Sequence, residues 1–240
     1  MTGADATIRR AAPGEWRALG DLVGAAFAAD PIAHWTFRDP LLIRAAFRSL
    51  ARDVYLPHGS GWFAGADGGA MWLHPGPRRG LGAIATLALA ARMVLRAGPG
   101  AVWRAMQVDA AFGSRRPPQP HAYLFTVGLL PAARGRGLGS RLLRPMLDHW
   151  DAAGVPVWLE NTHPANDAIY RGLGFVARET FHPAPGAPPV TTMLRPPRGR
   201  GDGYSHSVIN CMAKSLSHIE FADKELSDTV ENTVILTWSK

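Results

Sequence analysis

The chain has 240 residues, 47% of them hydrophobic, which suffices for one large domain with a core and excludes global disorder. Its formal net charge is +7, but the arginines are scattered without a basic run or an interleaved aromatic stripe, so a solvated basic surface that favours an anionic cofactor is expected rather than nucleic-acid binding. One cysteine, Cys211, excludes an internal disulfide framework and a cysteine-based zinc site, and the nine histidines lack ligand spacing, so no metal is expected.

The amino end lacks the apolar core of a signal peptide. The most apolar run, Leu81–Leu95, carries Arg92 and is shorter than the roughly 20 residues that span a bilayer. A cytoplasmic protein without membrane contact is therefore expected.

In chain order, Ala6–Arg10 alternates and predicts a first strand. Pro13-Gly14-Glu15 opens a helix through Ala29, with Trp16, Leu19, Leu22, Val23, Ala26 and Phe27 at helical spacing. Asp30-Pro31 stops it, and the aromatic stretch from Ile32 to Pro40 reads as a loop. Asp39-Pro40 starts a second helix, to about Leu56. Two β-prone runs around Asp67-Gly68 predict a hairpin, closed by Pro75-Gly76-Pro77. Leu81–Arg96 reads as an almost wholly apolar helix, buried or packed against a partner, and a homodimer is one such arrangement. Ala101–Phe112 is a further helix and Gly113–Pro120 a loop.

His121–Leu130 predicts a strand with Gly128 inside it, the mark of a bulge or of another group's close approach. Gly135–Ala153 is an amphipathic helix and Val155–Glu160 a buried-type strand. Pro164–Leu173 is a short helix that puts Asn166 and Tyr170 on one face. Phe175–His182 and Val190–Arg195 complete the strands. An α/β fold follows. Beyond Arg195 the composition shifts: RPPRGRGDG reads as a linker, and residues 204–240 carry every lysine and the only cysteine, as an appendage of different origin would.

Between the His121 strand and the Gly135 helix lies Arg134-Gly135-Arg136-Gly137-Leu138-Gly139-Ser140. A glycine-rich strand–helix turn points backbone N–H groups at the positive end of a helix dipole, which suits a phosphate. The glycines are spaced two apart, so the turn is not a dinucleotide fingerprint, and no lysine follows as a P-loop requires.

The pattern Arg134-x-x-Gly137-x-Gly139, followed by Leu159-Glu160, Asn166, Tyr170 and Leu173-Gly174-Phe175, resembles the GCN5-related N-acetyltransferase (GNAT) family over about Thr7–Arg195. AAFAADP, WFAGADGGAMWLHP and the helical insert Gly80–Phe112 are similar to its puromycin N-acetyltransferase-like branch. The resemblance implies a mixed, mainly antiparallel twisted sheet with a splayed central parallel pair, flanked by helices. It implies a domain over residues 1–197 with the insert at about 80–112, then linker and appendage over 198–240. It also implies acetyl transfer from acetyl-CoA directly to a primary amine of a small molecule.

The amides of Gly135–Ser140, through Arg136, Gly137, Leu138 and Gly139, are then expected to cradle the coenzyme A pyrophosphate, with Arg134 and Arg136 adding charge. Val127, Gly128 and Leu129 would offer unpaired backbone groups to the pantetheine arm, and Asn166 a further hydrogen bond. Tyr170 is expected as general acid to the leaving thiolate. Glu160 is either a general base or a structural carboxylate capping the turn at Thr162–Asn166. Asp30, His34, Asp109 and His163 are the remaining polar candidates, with Trp35, Trp62, Trp72 and Trp103 as candidate pocket walls. A non-catalytic acyl-CoA-binding module and a protein N-terminal acetyltransferase are the alternatives.

Overall fold

The computed structural model of the chain describes residues 6–77 and 79–199. The appendage expected at 204–240 lies outside the described residues.

Seven strands form one sheet in the order β1-β2-β3-β4-β5-β7-β6. They are β1 (Ile8–Arg10), β2 (Gly59–Ala64), β3 (Gly68–Leu73), β4 (Ala122–Leu129), β5 (Val157–Asn161), β6 (Val176–Phe181) and β7 (Val190–Arg195). Every neighbouring pair is antiparallel except β4 and β5, which are parallel and joined only at Ala122↔Val157 and Tyr123↔Trp158. Beyond Tyr123 the two strands part, so the mixed sheet with a splayed parallel pair is as expected.

A bulge marks the place where they part. Met71 pairs with Thr126 but Trp72 with Leu124, which leaves Phe125 as the extra residue of β4. The bulge is therefore not at Gly128, which stands in register opposite Gly69. Close approach explains that glycine instead: a Cβ there would lie 2.8 Å from the Ala26 Cβ and 3.2 Å from the Phe27 ring.

Helices cover both faces of the sheet. Gly128 faces α1 (Trp16–Ala26), whereas its neighbours Val127 and Leu129 pack against the core under α7 (Leu138–Ala152). Leu142, Leu143, Met146, Leu147 and Trp150 of α7 are buried against Trp72, Leu124, Leu159 and Met193. Burying each such side chain stabilises the fold by about 1.5–3 kcal/mol relative to exposure. A clip closes this layer: Arg195 of β7 donates to both Asp151 oxygens at 2.6 Å and to the Leu173 carbonyl at 2.8 Å.

On the other face α1 packs against α3 (Pro40–Leu50), which runs through a π-turn at Ala51–Tyr55 into the short α4 (Leu56–His58). The stretch read as an aromatic loop is largely helical, as α2 (Pro31–Phe37). The Asp-Pro pair that ends one helix also starts the next. The Asp30 carboxylate caps α2 by accepting from the Ala33 N–H at 2.9 Å, and Pro31 sits where no N–H is needed.

The insert consists of α5 (Ala83–Ala97) and α6 (Pro99–Arg115), turned at Gly98. It packs on α2 and α3. Burial of the apolar α5 within the chain is not what the fold provides. Met93 alone is fully buried, while Ile84, Leu87 and Leu95 are 88%, 72% and 85% exposed. A helix that lies across the edge of a cavity can bury only one stripe. Short α8 (Asp167–Gly172) follows β5 after a 3-10 turn.

Candidate active site

The turn after β4 is built for open backbone donors. Gly135 and Gly137 take φ of +74° and +70°, a left-handed conformation that side chains resist. No atom lies within 4 Å of where either Cβ would stand, so the turn is open. The first helical bond of α7 runs from the Arg141 N–H to the Gly137 carbonyl at 3.1 Å. The amides of Leu138, Gly139 and Ser140 therefore have no intrahelical partner and point out of the helix end. This donor set suits a diphosphate. Arg136 is exposed beside it. Arg134 is committed differently: its guanidinium donates to the carbonyls of Leu129 at 3.1 Å and Ala26 at 3.2 Å, so it ties the end of β4 to the end of α1.

Along β4, Val127, Gly128 and Leu129 pair with Ala70, Gly69 and Gly68 of β3 but with nothing in β5. One backbone edge thus faces the cleft. At the inner end of the cleft is a cavity of about 520 Å³, floored by β4 and β5 and roofed by the α5–α6 insert. Asn166 and Tyr170 line it, as their shared helical face implied.

Tyr170 is 9% exposed and meets the Phe175 ring edge-on at 5.8 Å. Burial pushes its phenol above the usual value, and the nearby Asp30 charge adds to the effect. The hydroxyl therefore stays protonated at neutral pH.

Glu160 also lines the cavity, with a side chain 2% exposed. It accepts from Trp158 Nε1 at 2.8 Å and stands 3.8 Å from the Arg116 Nε. Burial raises the proton affinity of its carboxyl, opposed by Arg116 and by hydrogen bonds from Tyr123 and Trp158. The capping alternative goes to other residues: Asn161 accepts from the His163 N–H at 3.2 Å, and His163 Nδ1 from the Ala165 N–H at 3.3 Å.

Of the other polar candidates, Asp30 and Asp109 line the cavity, whereas His34 and His163 are exposed and outside it. Asp30 accepts from the Thr162 hydroxyl as well as from Ala33, and burial raises its carboxyl, partly offset by those bonds. None of the candidate tryptophans lines the cavity; Trp72 is wholly buried under α7, and Trp103 is half exposed. Phenylalanines and tyrosines form the walls instead. Sequence reasoning missed Arg116, which stacks on the Tyr123 ring at 3.7 Å beside Glu160. Its position directly after a helix and before a proline pair was the available signal. Among the described residues no three His, Cys, Asp or Glu side chains gather as a metal site would require, and no helix is long and apolar enough to cross a membrane.

Residues 100–175 match the family model for the acetyltransferase (GNAT) family. That segment holds β4, the turn, α7, β5 and α8. The chain is 33% identical over 60 residues to an uncharacterised N-acetyltransferase of Schizosaccharomyces pombe, covering 25% of this chain and 24% of that one. It is 44% identical over 63 residues to the N-alpha-acetyltransferase RimI of Mycobacterium tuberculosis, covering 25% and 38%. The chain thus spans well under half the length of these curated relatives. A solved structure described as histone acetyltransferase HPA2 and related acetyltransferase, from Corynebacterium glutamicum, superposes with a TM-score of 0.61 at 24% identity, over 83% of this chain and 100% of that one. The solved structure shows the fold, and residues 100–175 are similar to the acetyltransferase (GNAT) family.

Proposed function

We propose that the chain is an acetyltransferase of the GNAT type and that it moves the acetyl group of acetyl-CoA to a primary amine of a small molecule, without a covalent enzyme intermediate. One observation supports this above others. The unpaired β4 edge runs between an open amide cradle at the start of α7 and a buried, protonated Tyr170 at the cavity.

Acetyl-CoA brings an activated thioester, and the chain supplies the rest. The amides of Gly135–Ser140 hold the pyrophosphate, with Arg136 adding charge. Val127–Leu129 offer the pantetheine arm an open strand edge, and a β4 N–H meets the charge that develops on the thioester oxygen. Tyr170 gives its proton to the departing sulfur. Glu160 takes the proton from the amine, directly or through water; its raised proton affinity suits that task better than an ordinary surface carboxylate would. The roof formed by the insert supports a small-molecule acceptor and, with the hairpin segment, a place near the puromycin N-acetyltransferase-like branch.

Acetylation of protein amino termini is the second reading, favoured by the likeness to RimI; the roofed cavity stands against it. Thiol release from acetyl-CoA with a panel of small amines tests the proposal. Binding without thiol release on any amine would reject catalysis in favour of a non-catalytic acyl-CoA-binding module. Residues 204–240 are proposed to be separate from the enzyme. Truncation after Gly203 is expected to leave acetyl-CoA binding unchanged, and its loss would assign the segment to the domain.

A further inference from the structure

We infer that the acceptor is an arylalkylamine whose ammonium meets Asp30 beside Tyr170 and whose ring lies along an aromatic wall of Phe27, Phe47 and Phe125. This rests on the acetyl-transfer reading above and narrows its substrate.

The wall is continuous although its parts come from four elements. Phe27 lies 5.2 Å from Phe47, Phe47 5.8 Å from Phe125, and Phe125 stacks on Tyr55 at 4.4 Å, with Tyr123 6.1 Å from Phe125. All five line the cavity, and Phe27 and Phe125 are half-buried, so part of their surface faces open space rather than core. Phe125, the extra residue of the bulge, is one of the β4 residues that line the cavity. Across from the wall, Leu89, Met93, Val102, Ala105 and Met106 of the insert make an apolar roof. A flat apolar body fits between such surfaces.

The charges specify one ammonium. The ionisable Asp, Glu and Arg side chains lining the cavity are Asp30, Asp109 and Glu160 against Arg79 and Arg116, a balance of one negative charge when all are ionised. A monocation neutralises it, whereas a polyamine or aminoglycoside carries several charges that nothing would match. Asp30 stands where the amine must be. Its N–H bonds to the Phe27 carbonyl at 3.0 Å, at the head of the wall, and its carboxylate is oriented by Thr162 and Ala33 near Tyr170.

The test is steady-state thiol release by the full chain with tyramine, spermidine and kanamycin as acceptors. Tyramine is expected to show a kcat/KM at least about tenfold above either of the others, the range of an aromatic contact plus a matched charge. Phe125→Leu is expected to raise the tyramine KM about tenfold with kcat little changed and acetyl-CoA affinity, measured by calorimetry, unaltered. Asp30→Asn should likewise raise the tyramine KM and not the acetyl-CoA KM. A preference for spermidine or kanamycin overturns the acceptor class while acetyl transfer stands. An unchanged tyramine KM in both variants overturns the wall and the carboxylate. Acetyl-CoA binding with no thiol release on any acceptor overturns the acetyl-transfer reading and this inference together.

Discussion

The donor side and the acceptor side of the cleft are made of different material. The donor side, from β4 through α8, is mostly backbone: two left-handed glycines, a free helix end and a strand edge. The acceptor side is mostly side chains, drawn from α1, α2, α3, the π-turn and the insert. A site made of backbone needs few residue types in fixed order, so it leaves a pattern in one short segment. A site made of side chains from distant elements can be built in many ways and leaves none. The family model matches residues 100–175, which hold the donor side and α6 of the insert, and none of the other acceptor-side elements.

Disruption should separate the two sides. Gly137→Glu puts a side chain into a left-handed position and a negative charge at the helix end, and is expected to abolish acetyl-CoA binding by calorimetry. Unaltered binding would sink the cradle. Tyr170→Phe should lower kcat about 10- to 1000-fold with acetyl-CoA affinity kept, the range usual for general acid–base groups. Glu160→Gln should lower kcat by about 100-fold. It should also remove the acidic limb of the pH–rate profile. Because burial raises the Glu160 carboxyl, that limb in the unaltered chain should lie above the ordinary carboxylate range, with activity lost as pH falls through it. A limb unmoved by the substitution would point to another base.

The remaining expected effect is on stability and belongs to the donor side alone. Asp151→Ala strips the partner from Arg195, whose side chain is 3% exposed, and should cost about 3 kcal/mol in denaturant unfolding. Burial alone would raise the Asp151 carboxyl, but hydrogen bonds from Arg195 and the Arg198 N–H hold it below its usual value. A depressed carboxylate stabilises fully above its unfolded pKa and loses that contribution as pH falls through the folded one. The gap between variant and parent should therefore be widest near neutrality and narrow below about pH 4. A gap independent of pH would show that the clip contributes by packing only.

Particular elements show what was legible. Asn166 and Tyr170 line one cavity, as four-residue spacing through a helical segment leads one to expect. Gly128 was left between a bulge and close approach because a glycine in a strand answers both needs, and only the approach of Ala26 and Phe27, with the bulge at Phe125, shows which applies. Asp30-Pro31 was read as a stop alone, although the same two residues are an N-cap and a first helical position. Of the two readings of α5, burial within the chain fails, because hydrophobicity reports what a helix can bury, not what the fold brings to it.

By itself, the sequence determined most of the order of elements and the glycine turn with its companions, since these follow from local backbone preferences and periodicity, while the splayed sheet was implied by the family resemblance. Only the tertiary structure decided where the bulge falls, that Arg116 and Tyr123 surround Glu160, and that a roof and an aromatic wall close over Tyr170. Those features arise where residues from separate elements meet, and no local rule relates them.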